Sequence, residues 1–268
     1  MRRPTLVVLL VLLALPLAAH EGLHEQIAEL TERIAADPGN AALYLRRGEL
    51  HRLHSELDLA AQDYDQAAHL DPTLAGVALG RGMMLFDAGR FADAIPQLRQ
   101  YIATTPADVR GRIALARTLM KAGRPADAAA EFAAALEHSA PSDPDLVLER
   151  AGALAAAGKR DEALRFLDTT MAASGPLVTF QLAAIELEVQ AGNIAGALRR
   201  IDAAQATAAR KETWLARRGD VLRQAGRPEE ARAAYQAALD AIARLPEERR
   251  RTRAIVQLEE RLRAEVAR

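Results

Sequence analysis

Residues 41–74 read AALYLRRGELHRLHSELDLAAQDYDQAAHLDPTL, and the reading of this stretch decides the rest. Tyr44 and Gly48 fall on one helical segment, Ala60, Tyr64 and Ala67 on a second, and Asp71-Pro72 closes the unit. Alanine, leucine, arginine and glutamate, all good helix formers, dominate both segments. The small residues let the two helices approach closely.

Working outward, the same unit returns. Aligned on Ala60, the next positions are Ala94, Ala128, Ala163, Ala197 and Ala231, at steps of 34, 34, 35, 34 and 34. The turn between the helices gives Ser55, Gly89, Gly123, Gly158, Gly192 and Gly226. Glycine there suits a left-handed helix C-cap. A small-residue column on the first helix runs Gly48, Gly82, Ala116, Ala151, Ile185, Gly219. A bulky column on the second runs Tyr64, Leu98, Phe132, Leu167, Ile201, Tyr235. One period held over more than 170 residues is the mark of an internal repeat.

The pattern resembles the tetratricopeptide repeat (TPR), a 34-residue helix–turn–helix unit running aromatic…Gly…Ala…aromatic…Pro. The resemblance implies an all-α superhelical solenoid of six repeats over residues 41–245. Residues 20–40 and 246–268 are read as capping helices. The first carries a stripe at Leu23, Ile27, Leu30 and Ile34, the last at Ile255, Leu258, Leu262 and Val266. The match loosens in places. The third repeat ends in Ala140-Pro141-Ser142-Asp143-Pro144, one residue long; the fifth has Ile185 at a small position and Glu188 at an apolar one. Pro125 and Pro228 open second helices, and Pro96 lies near the start of another. The Arg249–Arg253 cluster reads as a solvated helix face.

Composition agrees. Half of the 268 residues are apolar, only 4% are aromatic, and the formal charge is −1. So balanced a chain has no whole-molecule field to draw nucleic acid or an anionic membrane. There is no cysteine, which excludes disulfides, zinc–thiolate sites, thiol nucleophiles and a lipid-carrying cysteine. No glycine-rich phosphate loop or G-x-S-x-G occurs. His20-Glu21-Gly22-Leu23-His24 spells H-E-x-x-H, but it contains a glycine and has neither a third ligand nor a substrate cleft to serve it. The expectation is a protein without catalytic activity.

The first nineteen residues have the layout of an export signal: Met1-Arg2-Arg3, an apolar run over residues 5–15, then Pro16-Leu17-Ala18-Ala19. The run is short for a membrane span, which needs about 20 residues. Leu17 is large for its place before the cut, so an uncleaved anchor, and with it membrane contact, is the alternative. Cleavage after Ala19 would start the mature chain at His20 and bring its charge to −3. The expected location is the periplasm.

In TPR arrays the first helices of successive repeats line a concave groove. The resemblance places Met83, Phe86, Ile113, Arg117, Met120 and Lys121 on that face, with Arg110 beside them. Flexible apolar side chains next to cations suit an adaptable protein or peptide partner. The fourth and fifth repeats are milder there, with Leu148, Gly152, Ala155, Leu182, Glu186 and Val189. The lysine and asparagine pattern of TPR clamps for chaperone tails is absent. The expected function is an exported, non-catalytic scaffold or adaptor without a cofactor, binding a protein in its groove. The alternative rests on four histidines near the N-terminus: His20 and His24 at i,i+4, His51 and His54 at i,i+3. Antiparallel helices about the 37–40 turn bring the two pairs together, where they would form a copper, nickel or zinc site of an accessory protein.

Overall fold

The computed structural model of the chain describes residues 15–139 and 143–268, with side chains of the first helix from Gly22 onward. The expected signal segment lies largely outside these residues, as does the Ala140–Ser142 stretch. Fifteen helices and no strand form the regular structure of the described residues. No helix among them is long and apolar enough to cross a membrane.

The chain divides into two compact units, residues 1–139 and 140–268. The division falls on the lengthened end of the third repeat. In the first unit α1 (Leu15–Ala36) precedes three helix pairs. These are α2 (Ala41–Leu53) with α3 (Leu57–Leu70), α4 (Gly76–Asp87) with α5 (Phe91–Thr104), and α6 (Val109–Lys121) with α7 (Pro125–His138). In the second, α8 (Pro144–Ala156) pairs with α9 (Arg160–Ser174), α10 (Val178–Gln190) with α11 (Ile194–Thr207), and α12 (Lys211–Gln224) with α13 (Pro228–Ala243). A single turn, α14 (Glu247–Arg250), leads to α15 (Arg253–Val266).

The turns repeat as the helices do. Ser55, Gly89, Gly123, Gly158, Gly192 and Gly226 all have positive φ, between 65° and 77°. The residue after each donates its N–H to a carbonyl five positions back: Glu56 to His51, Arg90 to Leu85, Arg124 to Leu119, Lys159 to Leu154, Asn193 to Glu188 and Arg227 to Leu222. This is the Schellman closure, which satisfies the orphan carbonyls of a helix end. Ser55 is the one non-glycine residue among the described ones to adopt positive φ.

The two columns explain the packing of each pair. Tyr64, Leu98, Phe132, Leu167, Ile201 and Tyr235 are all at most 1% exposed. A Cβ on Gly48 would stand 2.8 Å from Tyr64, one on Gly82 2.6 Å from Leu98, and one on Gly219 2.2 Å from Tyr235. The largest rings therefore sit against glycine, while Ala116 and Ala151 serve the pairs holding Phe132 and Leu167. Ile185, at 0% exposure, shares one apolar cluster with Ile201. That pair fills the same space from both sides, so the departure seen in the sequence is a different division of volume.

Glu188, the other departure, is 8% exposed. It accepts from Asn193 at 2.7 Å and Arg200 Nε at 3.0 Å. Arg200 also grips both oxygens of Asp168 on α9, at 2.6 and 2.9 Å. A charge in an apolar column is thus held by a network joining three helices, as a buried carboxylate requires. Pro96 is the sixth residue of α5, deeper than expected, and the helix continues through it. Pro125 and Pro228 open α7 and α13 as expected. In α15, Ile255 and Leu262 are buried in the cluster of the second unit, and Arg249, Arg250, Arg251 and Arg253 are exposed.

Candidate binding grooves

Each unit carries an open groove. That of the first unit, about 520 Å³, is lined by α2 with Glu49, Arg52 and Leu53, by α4 with Leu79, Gly80, Met83 and Phe86, and by α6 with Arg110, Ile113, Ala114 and Arg117. Only first helices of successive pairs contribute. The cause is the column packing: the second helix seals one flank of each first helix, and the opposite flank stays open. Of the six residues singled out in the sequence, Met83, Phe86, Ile113 and Arg117 come together here. Met120 is half-buried and Lys121 exposed at the end of α6, and neither lines the cavity. Leu53, 56% exposed, is an apolar wall residue that was not singled out.

The charges of this groove are partly held in place. Arg52 pairs with Asp87 at 2.6 Å, fixing the ends of α2 and α4 to each other. Glu49 pairs with Arg46 at 2.9 Å. Asp108 caps α6 by accepting the Arg110 amide at 2.8 Å and its guanidinium at 2.8 Å, and also receives the Tyr101 hydroxyl. The Arg110 guanidinium, foremost, holds the Asp108 carboxyl well below the usual carboxylate range.

The groove of the second unit is about 830 Å³ and includes Leu182 and Glu186 of the fifth repeat. Val178, Leu182 and Glu186 of α10 face Thr213, Trp214, Arg217 and Asp220 of α12, and α15 adds Leu258 and Arg261. Glu186 is tied to Arg217 at 2.8 Å and Asp220 to Arg261 at 2.8 Å, so the carboxylates of the two walls are neutralised in place. Val178 and Leu182, 57% and 38% exposed, form its apolar lip. Trp214, the sole tryptophan of the chain, stands in this wall. Leu258 belongs to a stripe of four apolar residues, and nothing in its spacing separates a groove wall from a core position.

Of the histidines, His24 and His54 do meet, with ring centres 4.3 Å apart and planes at 69°. His51, 9% exposed, turns instead to Glu56, its Nδ1 at 2.6 Å from one carboxylate oxygen. His54 approaches the other oxygen at 3.1 Å. Glu56 is thereby drawn below its ordinary pKa, chiefly by the hydrogen bond with His51. The side chain of His20 lies outside the described ones. Among the described residues no three histidines or carboxylates are arranged to hold a metal. The cluster instead joins α1 to the turn between α2 and α3 through one carboxylate and its imidazoles.

Helix pairs in tandem with a Schellman turn in each define a helical-repeat protein. Sequence models of the tetratricopeptide repeat match residues 27–75 and 113–176, and 85–140, and a tetratricopeptide repeat-like domain matches residues 172–259. The chain is a tetratricopeptide repeat protein. No curated protein matches it. Among solved structures it is similar to a tetratricopeptide repeat protein from Parabacteroides merdae, at 16% identity over 92% of this chain and 94% of that one, TM-score 0.54. It is similar to YrrB, described as a TPR protein with an unusual peptide-binding site, at 22% identity over 66% and 90%, TM-score 0.55. It is also similar to PilW, a type IV pilus biogenesis factor, at 19% identity over 75% and 94%, TM-score 0.55. At these identities the likeness is one of fold.

Proposed function

We propose that this protein is an exported, periplasmic adaptor that binds a segment of a partner protein in the groove of its first unit and performs no chemistry of its own. One observation carries the reading. Four residues picked from two different helices by repeat position alone, Met83, Phe86, Ile113 and Arg117, line one open cavity with Leu53 and Leu79. Aromatic, methionine and arginine side chains are the ones that dominate protein interfaces. YrrB offers a parallel, since its description names a peptide-binding site on the same fold. Export is supported by the basic start, apolar run and small residues of positions 1–19.

The test is crosslinking and capture from the native cell envelope with the wild-type chain and the Met83→Glu variant. A charge placed among Leu79, Phe86 and Ile113 should remove the partner from the recovered set, with the circular dichroism spectrum unchanged. Unaltered recovery with Met83→Glu refutes the groove. N-terminal sequencing of the protein from the same envelope should begin at His20; recovery only from the cytoplasm refutes export.

A further inference from the structure

The groove of the second unit is set apart by the state of its charges. Each ionised side chain that lines it is paired. Glu186 of α10 meets Arg217 of α12 at 2.8 Å, and Asp220 of α12 meets Arg261 of α15 at 2.8 Å. Arg210, before α12, is held by Glu212 at 3.0 Å. Neutral polar groups reinforce these pairs. Gln190 donates to Glu186 at 3.1 Å, and the Tyr235 hydroxyl donates to Asp220 at 3.0 Å. The Thr213 hydroxyl is spent on the Arg210 carbonyl at 3.0 Å.

What the groove offers an incoming chain is therefore apolar. Val178 and Leu182 stand exposed on α10, Leu258 on α15 completes the wall, and Trp214 lies below them. A cavity of about 480 Å³ adjoins it, sharing Ala183 and Glu186 and carrying the face on to Leu148, Gly152 and Ala155 of α8. A charge laid on this face would lose its hydration and find every counter-charge engaged, which is the costly way to bury an ion. An uncharged apolar side chain loses nothing there. By excluding water it also lowers the dielectric around Glu186–Arg217 and Asp220–Arg261, which strengthens both pairs.

Beyond the site proposed in the first unit, we propose that this groove is a second docking site, selective for an uncharged apolar segment of a partner protein. Packed helices stand about 8–10 Å apart, so the path from α10 over α12 to α15 spans about 20 Å. That is about six residues of extended chain. Within this run the segment carries no Asp, Glu, Lys or Arg, and its large side chains enter between Val178, Leu182 and Leu258. Its affinity should be nearly independent of salt, because no new ion pair forms.

A random-peptide display library selected on the full chain, and counter-selected on Val178→Glu combined with Leu182→Glu, tests this. Both positions are exposed, so that double variant should keep the wild-type circular dichroism spectrum. Enriched peptides should share an uncharged run of about six residues with at least two large apolar side chains. For a synthetic peptide of the best sequence, fluorescence anisotropy should show equal binding to wild type and Met83→Glu. Affinity should change less than about twofold between about 50 and about 500 mM salt. Replacing a central apolar residue of the peptide by Glu or by Lys should weaken binding about tenfold or more in either case. Glu186→Gln releases Arg217 and should restore the Glu peptide but not the Lys peptide. An equal response of the two peptides overturns the part assigned to the ion pairs. Enriched peptides that need the lip but are charged, or that dissociate with salt, overturn the uncharged partner. Peptides that need both the lip and Met83 overturn a separate second site. So does light scattering that shows a dimer abolished by the double variant, since the occupant is then a second copy of the chain. If no peptide needs the lip, the second site is refuted, while Met83-dependent peptides from the same selection leave the first groove standing.

Discussion

Gly219 and Gly152 are both helical glycines, and the structure assigns opposite signs to the same substitution at the two. Glycine in a helix interior is less favourable than alanine by about 1 kcal/mol, so propensity alone favours both changes. At Gly152 a Cβ meets nothing within 4 Å, and Gly152→Ala should stabilise by about that amount. At Gly219 the Cβ would lie 2.2 Å from Cε1 and 2.3 Å from Cδ1 of Tyr235, where carbon atoms want about 3.5–4 Å. The ring cannot swing aside freely: it is 1% exposed and its hydroxyl donates to Asp220 at 3.0 Å. Overpacking of this kind costs about 1–3 kcal/mol, which meets or exceeds the propensity gain, and the clash lies at the severe end. Gly219→Ala should therefore be destabilised by about 1–2 kcal/mol net. Urea unfolding followed by ellipticity at 222 nm reads both, with amide exchange in α12 and α13 as a local measure because repeat arrays can lose two-state behaviour. A second substitution checks the cause. Tyr235→Leu in the Gly219→Ala background recreates the alanine–leucine pairing of Ala151 and Leu167, so the double variant should lose about 1 kcal/mol or more less than the sum of the single losses. If Gly219→Ala is as stable as wild type, or the two changes simply add, the column does not act through close approach.

Two further outcomes follow from the first unit. Ser55 holds φ at 65° where its five counterparts are glycine, and a side chain there costs about 1 kcal/mol, so Ser55→Gly should raise the urea midpoint by a corresponding amount. An unchanged or lower midpoint would show that Ser55 is held by something the turn geometry does not reveal. The carboxyls of Glu56 and Asp108 are depressed below their usual values of 4.5 and 3.8 in the folded chain, by His51 and by Arg110. Their unfolded forms bind protons first as pH falls, so the stability they contribute is present above about pH 4.5 and is lost as the pH drops through their folded values. Melting temperature should fall with acid below that point, and more gently in Glu56→Gln; an identical acid profile for that variant argues against the imidazole–carboxylate link.

How far the chain could be read without coordinates depended on where each residue's reason lies. The turn glycines were legible because the demand for positive φ is local: six positions have it, and five show the residue it favours. The two packing columns were legible because every pair solves the same problem, so the sequence states the answer six times. Glu188 was visible only as a violation, since its partners are Asn193 in the next turn, Arg200 on α11 and, through Arg200, Asp168 on α9. No spacing rule links residues 20 and 32 positions apart across three helices. Met83, Phe86, Ile113 and Arg117 could be grouped from the sequence because they sit at equivalent places in successive repeats; Met120 and Lys121 lie outside that cavity because it ends a turn before α6 does. The second groove was not foreseen, for the opposite reason. It needs Leu258 and Arg261, which belong to a helix outside the repeat, and whose stripe reads the same whether it closes a core or walls a cleft. Periodicity records which face of a helix is apolar. Whether that face is covered is decided by the neighbours, and in α15 Ile255 and Leu262 are buried while Leu258 turns partly into the groove. The helix expected only to cap the array therefore also walls the second groove, and truncating the chain before Arg253 would remove one wall of that cleft together with the cover over Tyr235 and Ile242.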